Sequence, residues 1–425
     1  MKRVLIITYY WPPAGGPGVQ RWVQFVKHFR DFGIEPIVYV PENPHYPLQD
    51  ASFKKDVPSD ITILKHPISE PYALAKLFSK KNTQKMSSGL IANKKQSLLG
   101  KLMLFIRGNF FIPDARIRWV KPSVQFLSNY ISENNIDTIV TTGPPHSLHL
   151  IGLKLKQQTI LKWVADFRDP WTTIHYHKSL RLTKASSRKH KELEHQVLNT
   201  ADTVVVTSSV TKEEFKNITP KPIKVITNGY DASIKIESQL DAKFSIAHIG
   251  SLLSERNPIV LWKTLAEIAS ENVDFKDDLN LVFAGAISEQ VLENIISFGL
   301  EENCKILGYV SHEKALQLQH NSQVLLLIEM NKPETKCIIP GKLFEYLAAQ
   351  RPIMTFGPSG SDVSSILKET NHGKYFPYND GELKETILSF YSDYKNNNLK
   401  VVSNGIEKYS RKALTEKMAR LLKDI

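Results

Sequence analysis

Residues 2–32, KRVLIITYYWPPAGGPGVQRWVQFVKHFRDF, decide the fold. The run from Lys2 to Thr8 is apolar and β-branched, so it reads as a buried strand. Proline and glycine between Tyr9 and Gly18 end it. From Val19 to Phe32 the residues Val19, Val23, Val26 and Phe29 recur at helical spacing. Strand, glycine loop and helix in this order open a parallel βαβ unit. The start has the look of a secretory signal, but its apolar run stops after Ile7 and Trp11-Pro12-Pro13 follow, so it is read as a strand.

The same rhythm continues outward. EPIVYVP (35–41), ITILKHP (61–67), DTIVTTG (137–143), LKWVAD (161–166) and DTVVVTSS (202–209) read as further strands, and His146 to Gln157 as a helix between two of them. The turn-forming Asn228-Gly229-Tyr230-Asp231 and a weakly patterned stretch then mark a boundary. Beyond it FSIAHIG (244–250), NLVFAG (280–285), CKILGYV (304–310), QVLLLI (323–328) and RPIMTF (351–356) form a second strand series. Helices over Pro258–Ser270, Glu289–Phe298 and Gly341–Gln350 separate them, and a last helix from Ala413 to Ile425 carries Leu414, Met418, Leu421 and Leu422 on one stripe. The expectation is an α/β chain of two doubly wound domains, 1–232 and 233–408, with 409–425 packing back on the first. Such sheets bind ligands beyond the C-terminal ends of their strands, so chemistry is expected in strand-to-helix loops and between the domains.

At 425 residues, with 42% hydrophobic and 23% charged residues, the chain has the composition of a folded globular protein. Two cysteines, Cys304 and Cys337, make neither a disulfide framework nor a zinc site, which favours a reducing, cytoplasmic setting. No stretch reaches the roughly 18 apolar residues of a membrane span. The net charge of +12 is concentrated: eleven basic residues and one acid, Asp114, lie between Lys76 and Lys121. A local cationic device fits this better than a nucleic-acid surface spread over the fold, and no aromatic residues interleave at the spacing of a nucleic-acid module. Leu98, Leu99, Leu102, Phe105 and Ile106 share one helical face, with Lys94, Lys95, Lys101 and Arg107 nearby. That pattern suits a helix lying on an anionic membrane, and equally a buried helix beside a solvated basic loop.

Several loops could carry chemistry. Gly15 and Gly16 precede a helix start and let main-chain N–H groups approach an anion or a sugar, although the spacing is not that of a dinucleotide fingerprint. His146 follows the fourth strand; a helix-start histidine without a role is its plain alternative. Asp166, Arg168 and Asp169 place three charges after a buried strand, either as a site or as a structural ion pair. Gly250, Ser251 and Arg256 lie between a strand and a helix, and Arg256 suits a diphosphate. Gly341 opens a helix on which Lys342 and Glu345 stand three apart, the spacing also of a surface ion pair. His175, His177, His190 and His195 lack a convincing ligand set, and no Asp-x-Asp occurs, so no metal and no other cofactor is expected.

At these residues the chain resembles the retaining glycosyltransferases of family four, which have the GT-B fold and include bacterial cell-envelope and polysaccharide enzymes. The likeness is carried by YYWPPAGGPGVQR (9–21), TGPP (142–145), DFRDPW (166–171), ITNGYD (226–231), HIGSLLSERNP (248–258), LVFAG (281–285), LGYVSHEKAL (307–316) and IPGKLFEYLAAQRPI (339–353), in that order. It implies two Rossmann-like domains, a nucleotide-sugar donor on the C-terminal one and a lipid-linked or growing glycan as acceptor on the other. Gly15 and Gly16 match the family's loop near the donor diphosphate, Arg256 its phosphate-binding loop, and Glu345 the second glutamate of a spaced pair, assigned to the donor ribose. Lys342 at the helix start favours phosphate by position.

Two departures stand out. The first glutamate of that pair is replaced by Cys337, which leaves the donor sugar open. Asp166 stands where many members have a histidine, and a carboxylate there can accept a donor-sugar hydroxyl. The rival readings are a catalytically silent scaffold on the same fold, suggested by Cys337, and a nucleotide-sugar epimerase, which would act without an acceptor.

Overall fold

A computed structural model describes residues 1–70, 98–234, 236–378 and 381–425. Two compact units divide the chain: Met1–Asn228 together with Arg411–Ile425, and Gly229–Ser410. The sequence-based boundaries were placed at 232/233 and 408/409. Lys76, Lys80, Lys81, Lys85, Lys94 and Lys95 of the basic segment lie outside the described residues.

The first unit is built on strands β1 (Lys2–Ile7), β2 (Ile34–Pro41), β3 (Thr62–His66), β4 (Thr138–Gly143), β5 (Lys162–Phe167), β6 (Thr203–Val206) and β7 (Ile223–Val225). They form one parallel sheet in the order β3-β2-β1-β4-β5-β6-β7. Helices α1 (Pro17–Phe29), α2 (Leu98–Phe110), α3 (Ile117–Glu133), α4 (Ser147–Gln158), α5 (Lys184–Thr200) and α6 (Ser209–Lys216) accompany it. One face of the sheet packs through Leu5, Ile7, Ile139 and Ala165 on Trp119, Leu127, Leu148 and Ile151. The other packs through Val4, Ile6, Val140 and Val164 on Trp22, Val23 and Val26. Alternate residues of each strand thus serve opposite layers, which is why the strands read as unbroken apolar runs.

The second unit carries β8 (Phe244–Ile249), β9 (Leu279–Ala284), β10 (Cys304–Gly308), β11 (Val324–Ile328), β12 (Ile353–Phe356) and β13 (Gly373–Phe376), all parallel, in the order β10-β9-β8-β11-β12-β13. Its helices are α7 (Ile259–Glu271), α8 (Val273–Asp278), α9 (Glu289–Ser297), α10 (His312–Asn321), α11 (Lys342–Ala348), α12 (Asp362–Thr370) and α13 (Leu383–Lys395). The chain then re-enters the first unit as α14 (Arg411–Asp424), whose Leu414, Met418, Ala419 and Leu422 join the α1 layer. Arg411 Nη2 donates to Gln20 Oε1 across 3.0 Å, and Lys2 Nζ to Leu422 O across 2.7 Å.

Two strands go beyond the sequence reading. β7 has three residues and the edge strand β13 reads Gly-Lys-Tyr-Phe, so neither offers an apolar run to detect. In each sheet the chain direction of the strand order reverses once, between β1 and β4 and between β8 and β11. Those reversals are the topological switch points where open α/β sheets take their ligands.

Candidate active site

At the first switch point the exits of β1, β4 and β5 meet. Gly16 caps α1 with φ +103°, a conformation that only glycine adopts cheaply. Gly15 N donates to Leu48 O across 3.0 Å, so the loop is tied to the chain beyond β2. A Cβ at Gly18 would collide with Nη1 of Arg168. The Arg168 guanidinium therefore lies against the first turn of α1, while its Nε donates to Gly143 O across 3.3 Å and its Nη2 to Pro144 O. Sequence reasoning noted Arg168 only as a charge between two acids; the structure makes it the strut that joins the three loops.

Asp166 is fully buried in β5 and accepts hydrogen bonds from Arg21 Nε (3.3 Å) and Nη2 (2.8 Å), Trp22 Nε1 (3.0 Å) and Thr142 Oγ1 (2.9 Å). Burial alone would raise its carboxyl, but the Arg21 guanidinium and these donors hold it below the usual range. Arg21 also donates to Thr227 O across 2.7 Å. This is the ion-pair alternative of the sequence reading, with Arg21, overlooked there, as its cation. Asp169 is half-buried, accepts from Tyr176 Oη across 3.3 Å and is raised by burial. His146 stacks on Trp171, rings 4.8 Å apart and parallel within 2°. Neither of its ring nitrogens has a hydrogen-bond partner among the described residues, and burial holds it neutral. The acid of the basic segment, Asp114, is spent on the start of α4, accepting from Ser147 N and Oγ at 2.8 Å each.

At the second switch point the residues converge more tightly. Gly250 leaves β8 with φ +118°, and a Cβ on it would stand 3.2 Å from Lys342 Nζ. From the first turn of α11, Lys342 Nζ donates to Ile249 O across 3.0 Å and lies 3.1 Å from His248 Nε2. His248 Nδ1 lies 3.0 Å from Leu326 O, so that nitrogen carries the proton and Nε2 accepts from the lysine. Burial, and then Arg256, push the ammonium down to about 7 against the pull of Glu345. Ser251 is exposed and Arg256 half-buried in the same loop. Glu345 turns instead to α10, where His312 Nε2 and Gln319 Nε2 each lie 3.0 Å from its oxygens. Lys342 and Glu345 thus reach different partners, unlike the surface pair their spacing allows.

The sequence reading gives His248, the first residue of the 248–258 stretch, no role of its own, and its strand QVLLLI stops at Ile328, one residue short of Glu329. Among the described residues no group of three or more His, Cys, Asp or Glu side chains could hold a metal ion. His190 Nδ1 accepts from Trp171 Nε1 across 3.1 Å.

Residues 94–234 match the model of Glycosyltransferase Family 4, and residues 243–393 that of Glycosyl transferases group 1. The first range falls in the first unit apart from its last residues, the second within the second unit. No curated protein matches the chain. Among solved structures it is similar to the lipopolysaccharide outer core galactosyltransferase WaaB, with 14% identity, 100% of each chain covered and a TM-score of 0.58. It is similar to trehalose-6-phosphate from E. coli bound with UDP-2-fluoro glucose, with 11% identity, 100% and 99% covered and a TM-score of 0.59. The UDP-GlcNAc 2-epimerase from Methanocaldococcus jannaschii matches at 11% identity, with 100% of each chain covered and a TM-score of 0.51. The two Rossmann-like units are those of the GT-B fold. With a glycosyltransferase model on each unit, the matches support a glycosyltransferase.

Proposed function

We propose that the protein moves a sugar from a nucleoside-diphosphate sugar to a glycan acceptor, lipid-linked or growing, with retention of configuration and without a metal. The observation that carries this reading is the Lys342 ammonium held against Gly250 at the second switch point, with Arg256 beside it. Burial makes the charged form of this lysine costly and pushes it down to about 7, and an anion placed there favours the charge again. Fixed cations at a leaving diphosphate supply the largest electrostatic term for breaking a glycosyl-phosphate bond. The sugar C–O bond to phosphate breaks, the C–O bond to the acceptor hydroxyl forms on the same face, and the hydroxyl proton passes to the departing phosphate oxygen. A silent scaffold has no use for such a lysine, and an epimerase would turn over its donor without acceptor.

Thermal shift against UDP, GDP and their sugar conjugates, followed by transfer assays on glycan acceptors, tests the reading. Donor binding with acceptor-dependent release of nucleoside diphosphate is expected, unchanged by EDTA. Epimerised donor with no acceptor requirement would replace this reading by the epimerase one.

The acceptor's presentation follows from α2. Leu102 (54% exposed), Phe105 (37%), Ile106 (39%) and Phe110 (72%) form one outward stripe, while Leu104 and Gly108 are buried on the other side. Gly108 abuts Leu180 and Leu182, and the half-buried Lys101 and Arg107 stand on the helix itself. An exposed apolar stripe on a helix that also carries two cations suits an anionic bilayer on the cytoplasmic side. Among the described residues no helix is long and apolar enough to cross a membrane.

A further inference from the structure

The first residue beyond β11 is Glu329, 4% exposed. Its main chain is pinned on both sides: N donates to Phe356 O across 2.8 Å, and O accepts from Tyr378 Oη across 2.5 Å. Carboxyl Oε2 lies 2.9 Å from Tyr375 Oη and 3.1 Å from Ser361 Oγ, which are themselves 3.0 Å apart. A Cβ at Gly357 would stand 2.5 Å from Oε2, so the chain keeps a glycine where the carboxyl needs room. The exits of β12 and β13 and the start of α12 are thus shaped around one oxygen. The other, Oε1, has no hydrogen-bond partner among the described residues.

Burial pushes this carboxyl up to about 8, with Tyr375, Ser361 and Arg256 pulling the other way. A buried acid with half its hydrogen-bonding capacity unused lowers stability, and groups left in that condition cluster where ligands bind. The charge of Arg256 acts on Glu329 and on Lys342 alike, which places both around the β8/β11 switch point. Phosphate oxygens carry negative charge and belong with the cations; a sugar hydroxyl both donates and accepts, so it pairs with Oε1 in either protonation state of the carboxyl.

We propose that Oε1 of Glu329 hydrogen-bonds a hydroxyl of the sugar carried by the donor. This rests on the donor-site reading above and names the residue that selects the sugar. Glu329 is a specificity residue, distinct from the cations that hold the diphosphate.

Calorimetric titration with UDP, UDP-glucose, UDP-N-acetylglucosamine, GDP and GDP-mannose tests it, on wild type, Glu329→Met and Glu329→Gln. Met follows the same path without the carboxyl oxygens, and Ser361 and Tyr375 keep each other as partners. Gln preserves the contacts to both hydroxyls should Met fold poorly. In both variants the affinity for the nucleoside diphosphate should stay near wild type, which also reports a folded site. The affinity for its sugar conjugate should fall about tenfold or more in Met and less in Gln. Unchanged sugar-nucleotide binding overturns the assignment, as does an equal loss for nucleotide and conjugate, which would make the carboxyl a support of the 356–361 turn only. Wild type binding none of the five probes would instead remove the donor-site reading, and this inference with it.

Discussion

Lys342 Nζ stands 3.1 Å from Nε2 of His248, a lysine from a helix start meeting a histidine inside a buried strand. The contact fixes the lysine's reach and the histidine's tautomer together. It also keeps the ammonium pointed at the main chain of Ile249 and Gly250, where a phosphate would find it.

Because the Lys342 ammonium is pushed down to about 7, it is charged below that pH and neutral above it. Affinity for UDP or GDP should be greatest below pH 7 and decline as the pH rises through that value. Lys342→Met should weaken binding about tenfold or more at pH 6.5 and flatten the profile, and Arg256→Ala should weaken it at every pH. Titration across pH 6 to 9 checks both; wild-type-like binding by the two variants would refute the donor site.

Glu345→Gln tests the acid assigned to the donor ribose. Its carboxylate already takes His312 and Gln319, so the substitution should lower affinity for nucleoside diphosphate and for sugar nucleotide by the same factor. A loss confined to the sugar conjugate would contradict the ribose role and separate Glu345 poorly from Glu329.

Asp166→Asn removes one charge of a fully buried pair and leaves the Arg21 guanidinium, 1% exposed, without compensation. The expected loss is about 3 kcal/mol of unfolding free energy, the scale for breaking a buried pair on one side. Denaturant unfolding monitored by tryptophan fluorescence reads it. Full stability combined with lost transfer would return Asp166 to a role in the reaction.

Much of this architecture was legible in advance because parallel strands buried on both faces must be continuously apolar, and Val4 to Ile7 or Val324 to Ile328 satisfy that directly. The glycine loops were legible too, since Gly16 and Gly250 take up left-handed backbone at strand exits. What escaped were partnerships with distant chain: His248 with Lys342, Asp166 with Arg21, and Glu329 with Gly357, Ser361 and Tyr375. No local pattern marks such pairings, because the partners lie tens of positions or more apart.

Acid should unfold the protein through its buried imidazoles. Burial lowers His149 to about 3 and His177 and His372 to about 4, so the folded state binds fewer protons than the unfolded chain below the ordinary value of 6.5. Their contribution is fully present above pH 6.5 and is lost as the pH falls towards 4, by up to about 1.4 kcal/mol per histidine for each unit. Urea midpoints measured from pH 7.5 to 5 should decline over that window. A midpoint that stays level would mean that these rings reach solvent and protonate freely.

The outward stripe of α2 gives the last prediction. Each cation near an anionic surface contributes on the order of 1 kcal/mol, and the aromatic rings of Phe105 and Phe110 add apolar contact that salt does not screen. The protein should therefore pellet with vesicles containing phosphatidylglycerol and stay in solution with phosphatidylcholine alone. Added salt should release part of it. Lys101→Glu with Arg107→Glu should abolish binding at low salt, whereas Phe105→Ser with Phe110→Ser should leave a weaker attachment that salt removes completely. Retention of wild type in the supernatant with anionic vesicles at low salt would sink the membrane surface, and the acceptor would then be sought among soluble glycans.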